Sequence, residues 1–145
     1  MGCDIHGVFQ RRDEESKTWQ DVESVYKQDR HYFLFGVLAD VRGDGPPISE
    51  PRGLPEDFEI VDGEDHPISD LKFMDPRRRG WHEANEPLVV WMGDHSRSWL
   101  TGEEMLKWYE SAKTDKKGSL AYFFDEVARL VAEHGEIRFV FGFDS

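Results

Sequence analysis

The segment Ile137-Arg138-Phe139-Val140-Phe141-Gly142-Phe143-Asp144 alternates so regularly that it limits the fold more than any other stretch of the chain. Ile137, Phe139, Phe141 and Phe143 fall on one face and Arg138, Val140, Gly142 and Asp144 on the other, which is the period of a β-strand with one side in an apolar core. Just before it, Leu120, Phe123, Phe124, Val127, Leu130 and Val131 recur at three- and four-residue steps, predicting an amphipathic helix over 119 to 134 that Gly135 closes. Chain ends are loose unless a sheet ties them down, so this last strand needs a neighbour. Cys3 to Arg12, with Ile5, Val8 and Phe9, has the composition to be one. The polar run Asp13 to Lys17 then turns the chain into Trp19 to Tyr26, completing a β-hairpin.

Tyr32-Phe33-Leu34-Phe35-Gly36-Val37-Leu38-Ala39 is too densely apolar for a half-exposed strand and predicts a buried helix over 32 to 40. From Arg42 to Arg79 the prolines, glycines and acids predict a long loop, a kind of connection that is often functional. Leu88 to Met92 reads as a short strand delivering Gly93-Asp94-His95-Ser96 to a turn. Thr101 and Glu104 stand at the offset of a capping box, with Ser98 as a competing cap, so a further helix is expected over 102 to 113. The expected class is α+β: one domain over 1–145, with a mainly antiparallel sheet that includes both terminal strands, packed with two to three helices.

Charge narrows the partners. With 18 basic and 30 acidic residues the formal net charge is -12, which opposes sequence-independent binding to nucleic acid or anionic membranes. Arg77-Arg78-Arg79 beside Trp81 is the one basic spot, readable as a stacking patch or as a solvated charge run. A single cysteine allows no intrachain disulfide, and no apolar stretch approaches the roughly 20 residues that span a bilayer. The opening residues lack signal-peptide organisation, and His6 occupies the position where myristoylation wants Ser or Thr. A cytoplasmic setting is expected.

Candidate chemistry gathers at Cys3-Asp4-Ile5-His6. On a strand, Asp4 and His6 project to one face while Cys3 and Ile5 point to the other. Joined by His95 and Asp144, they make a mixed imidazole and carboxylate set suited to Zn²⁺ or Mn²⁺, with Asp94 as a base or as an orienter of the ligands. A metal with an open position would activate water for hydrolysis. The competing reading is a set of satisfied polar residues that hydrogen-bond one another and cap loops. Cys3 could be a nucleophile, or a buried thiol acting as a small hydrophobe. Ser96 and Ser98 precede a helix whose free N–H groups could bind a phosphate. Arg52, in the rigid Pro51-Arg52-Gly53-Leu54-Pro55 turn, could clamp an anion or bridge nearby acids.

Taken together, Met1 to His6, Tyr32 to Arg42, Pro51 to Pro55, Asp94 to Thr101 and Arg138 to Asp144 cover about a third of the chain, and they resemble a family of small proteins of unknown function encoded largely by bacteriophages and prophages. The resemblance implies a viral origin and the cytoplasm of an infected bacterium. Gln10 stands where that pattern often has an acid, and Arg97 where it has a second His, two departures that bear on a metal site. The sequence supports first a divalent-metal-dependent hydrolase of a phosphorylated or nucleotide-like substrate, with Asp94 catalytic, Asp4, His6, His95 and Asp144 as ligands, and Arg52, Ser96 and Ser98 on the substrate. The alternative is a non-catalytic phage protein that sequesters a signalling nucleotide or blocks a host protein by acidic mimicry.

Overall fold

The computed structural model describes residues 2–43, 45–58 and 95–144. In chain order these form β1 (Asp4–Arg12), β2 (Trp19–Val22), α1 (Tyr32–Ala39), β3 (His95–Thr101), α2 (Gly102–Ser111), α3 (Gly118–His134) and β4 (Ile137–Asp144). The strands make one antiparallel sheet in the order β2-β1-β4-β3. The fold is α+β, and the first and last strands lie side by side. The expected strand over Leu88 to Met92, the Arg77-Arg78-Arg79 spot with Trp81, Asp94 and much of the expected loop lie outside the described residues.

β4 sits between β1 and β3, and alternate residues of it face two different environments. Ile137, Phe139, Phe141 and Phe143 join Ile5 and Phe9 of β1 and apolar residues of all three helices in one buried cluster. The Phe9 ring lies 4.5 Å from Phe139 and 5.8 Å from Phe123, and Phe35 lies 5.0 Å from Phe143. Each such ring contributes about 1.5–3 kcal/mol by leaving water, so this face dominates the energetics. The opposite face is covered as well. Val140 is buried there, and Leu54 and Phe58 are buried outside the helix-side cluster. Residues 53 to 57 dock onto the sheet, the Gly53 N–H donating to the Arg97 carbonyl at 2.8 Å and Asp57 pairing with Arg138 at 2.8 Å.

The helices follow their sequence signals closely. α1 ends where Asp40 takes a left-handed conformation (φ 60°), and the returning chain brings Gly43 against Gly36, where a Cβ would meet the Gly43 Cα at 2.6 Å. Thr101, not Ser98, caps α2: its hydroxyl accepts from the Glu104 N–H while the Glu104 carboxylate accepts from the Thr101 N–H. α2 stops at Ser111, whose hydroxyl bonds the carbonyls of Lys107 and Trp108, two residues short of expectation.

Two strands depart from the sequence reading. β2 ends at Val22, not Tyr26, because Ser24 and Val25 bond a helix rather than a strand: the Glu126 carboxylate of α3 accepts from the Ser24 hydroxyl at 2.6 Å and the Val25 N–H at 2.8 Å. His95–Thr101, expected as a turn followed by caps, is strand β3, the outermost beside β4 among the described residues. Its polar composition hides it, since cross-strand packing can override a weak intrinsic preference.

Glu126 also accepts from Arg129, and this bond, with those from Ser24 and Val25, outweighs burial and holds its carboxyl at about 2 against an ordinary 4.5. A depressed carboxyl pKa stabilises the fold above the unfolded value, so this contribution, at most about 3 kcal/mol, is complete above about pH 4.5 and lost as pH falls toward 2. Glu126→Gln is expected to lower stability at neutral pH and to flatten the fall of the melting temperature between those limits. An acid slope equal to wild type would contradict it.

Candidate functional site

Every residue of the opening run has a structural role set by strand alternation. Cys3 and Ile5 are buried on the helix side, the Cys3 N–H donating to the Tyr32 hydroxyl at 3.2 Å. Asp4 and His6 turn to the other face and remain partly exposed. Gly7 lies beneath Phe139, whose ring a Cβ would approach to 2.5 Å. Beyond the end of β2, the Gln28 amide takes over as a surrogate strand, accepting from the Gly7 N–H at 2.9 Å and donating to its carbonyl at 3.3 Å.

The register places Asp4 directly across from Asp144, and like charges in that position repel. Each carboxylate has its own partner. Asp144 Oδ2 lies 2.5 Å from His6 Nε2, and Asp4 receives a two-pronged contact from Arg30, at 2.7 Å from Nε and 3.3 Å from Nη2. The Arg30 hydrogen bonds hold the Asp4 carboxyl below the usual carboxylate range. Gly2 makes room for this, since a Cβ there would overlap the Arg30 guanidinium.

His95 is elsewhere. It pairs with Phe143, is 5% exposed, and stacks its ring 6.1 Å from that of Phe143 on the helix side, with Nδ1 3.0 Å from Ser96 Oγ. The expected ligand set Asp4, His6, His95 and Asp144 is therefore divided by the sheet, three on one face and one on the other. Two ligands on a common zinc, each about 2.0–2.2 Å from it, stand roughly 3 Å or more apart. At 2.5 Å, His6 Nε2 and Asp144 Oδ2 instead have the spacing of a direct hydrogen bond. Among the described residues no group of three or more His, Cys, Asp or Glu side chains is arranged to hold a metal ion.

No family model, curated protein or solved structure matches this chain.

The other nominated residues act as ties. Arg52 forks onto Glu104 at 2.6 and 2.8 Å, donates to the Trp99 carbonyl at 3.0 Å and Ser49 at 3.1 Å, and lies 4.7 Å over the Trp99 ring. Burial pushes the Glu104 carboxyl up, but Arg52 and the Thr101 N–H more than offset it and leave it below the usual range. Ser98 is fully buried and accepts from the Arg52 N–H at 3.0 Å, so this serine belongs to a strand rather than to a phosphate-binding helix end. Gln10 accepts from Arg138 at 2.8 Å and donates to Asp21 at 2.8 Å. The buried Arg138 guanidinium also lies 4.2 Å over Trp19. An acid at position 10 would turn this neutral relay into a direct ion pair.

Sequence reasoning missed Arg30, Gln28 and Arg138. Arg30 and Gln28 reach β1 from a segment without regular structure, where no spacing rule applies. Arg138 was visible as the polar residue opposite Gln10 only once the register was known. We expect Gly7→Ala to cost about 1–3 kcal/mol in denaturant unfolding, because the Phe139 ring is held in the core. Gly2→Ala should cost no more than about 1 kcal/mol, because the exposed Arg30 can swing aside. Equal losses would refute this account of the motif.

Proposed function

We propose that this chain is a non-catalytic binding protein rather than a hydrolase. One observation carries the reading: among the described residues, the side chains suited to hydrolysis are bonded to one another or to scaffold groups, and His95 faces away from His6 and Asp144. Their geometry serves to lock the terminal strands and the 49–58 segment in place. The net charge of -12 then sets the partner class. A surface of this sign attracts a basic protein face and repels free phosphates, and complementary charge speeds encounter. Glu14, Glu15, Asp21 and Glu23 are exposed on or beside the hairpin, with Lys17 among them. In the phage setting that the sequence resemblance implies, the partner is a basic host protein.

The hydrolase remains the second reading, favoured by one feature. The His6 imidazole is about one-third exposed, with a carboxylate on its Nε2, an arrangement suited to general acid–base work.

Assays of p-nitrophenyl phosphate and bis-p-nitrophenyl phosphate, with and without added Zn²⁺ or Mn²⁺, separate the two. We expect no turnover that His6→Ala removes, and a stability loss of about 1 kcal/mol in that variant from the missing hydrogen bond. Turnover abolished by His6→Ala would overturn the binding reading. Partner association should weaken with ionic strength and with Glu14→Lys and Glu15→Lys.

A further inference from the structure

Residues 25 to 31 leave the sheet edge, cross to the helix side and enter α1, and between them and the first turns of α3 lies a cleft of about 290 Å³. Its composition differs from that of an incidental surface dent. Among the described residues the large hydrophobic side chains most exposed to water are Val25 (70%), Tyr122 (74%) and Phe33 (49%), and the first two border this cleft. Leu34 supplies further apolar wall. Isolated exposed apolar residues are ordinary, whereas convergence around a concavity marks a binding site.

Two buried polar atoms of the lining residues point the same way. The Tyr26 hydroxyl and His31 Nδ1 are buried and have no hydrogen-bond partner among the described residues, and both residues line the cleft. Leaving such a group unpaired costs about 1–3 kcal/mol, so a ligand that supplies the missing partners gains that much in differential affinity. Burial pushes the Tyr26 hydroxyl up and the His31 imidazole down, which keeps both neutral near physiological pH. Lys27 and Asp29, also lining the cleft, carry opposite charges. Together they leave a neutral site with an O–H group, an imidazole nitrogen, and aromatic and aliphatic walls.

We infer that this cleft binds a neutral heteroaromatic ring that presents a hydrogen-bond donor and an acceptor, of nucleobase type, with Tyr26 and His31 as its polar anchors and Tyr122 and Leu34 as its walls. The ring packs against Tyr122 and reaches the two anchors by displacing the exposed Val25 side chain. A charged phosphate on the ligand adds nothing, because the surrounding protein is strongly acidic. The site is separate from the His6–Asp144 face and does not depend on how that face is read.

The test titrates the full chain with adenosine, guanosine, cytidine and uridine, and with adenosine monophosphate, by calorimetry. At least one nucleoside should bind saturably, no more weakly than its phosphorylated form, and Tyr26→Phe and Tyr122→Ala should each weaken it about tenfold. Tyr122 is exposed, so its variant reports on binding even if Tyr26→Phe disturbs packing. Absence of saturable nucleoside binding, binding indifferent to both substitutions, or a much tighter fit for the monophosphate would each overturn the inference.

Discussion

The pairing of β1 with β4 is the interaction on which the rest of this structure depends. It joins the two ends of the described chain along eight facing positions, Asp4 with Asp144 through Arg11 with Ile137, and it sets the face of every side chain in the opening motif. A slip of one residue would send Cys3 and Ile5 to the polar face and Asp4 and His6 into the aromatic core. Such a slip is blocked from both sides, by the stacked Phe rings on one face and by the Gln10–Arg138–Asp57 relay on the other. A strand covered on both faces tolerates less misregistration than one with an open side.

The sequence was legible wherever hydrophobic period and burial coincide. The alternation in Ile137 to Asp144 and the three- and four-residue spacing from Leu120 to Val131 come from side chains facing one shared cluster, so pattern and packing are the same fact. Thr101 and Glu104 were equally readable, because a capping box is a local hydrogen-bond exchange. β3 was illegible for the opposite reason. His95, Arg97 and Ser98 are buried polar residues, and what allows their burial is supplied by distant groups such as the Arg52 N–H and the Phe143 ring. The early end of β2 has a similar origin, in a carboxylate about a hundred residues away.

The candidate site was legible in half. Strand alternation correctly grouped Asp4 with His6 and set Cys3 apart, and the same rule on β4 put Asp144 with them. The grouping then failed at His95, where a simple period no longer applies. Clustered imidazole and carboxylate groups in a sequence identify residues able to do chemistry, yet here their partners are mostly one another. Arg30, which balances Asp4, carries no sequence signal of its own, and its role appears only through the neighbouring Gly2 backbone that makes room for it.

The irregularity in β3 has a larger meaning than its size suggests. His95 faces Phe143 and Ser98 faces Phe141, so three steps on β3 match two on β4, and Ser96 takes a left-handed φ of 53° to absorb the extra residue. Counting back from Ser98 with regular pairing would set His95 across from Asp144 and turn its ring toward His6. Backbone register, with no change of amino acid, thus separates a dispersed set of polar side chains from a three-residue imidazole–carboxylate cluster. Related chains that share these residues but lack the extra residue would present a different surface chemistry from the same letters.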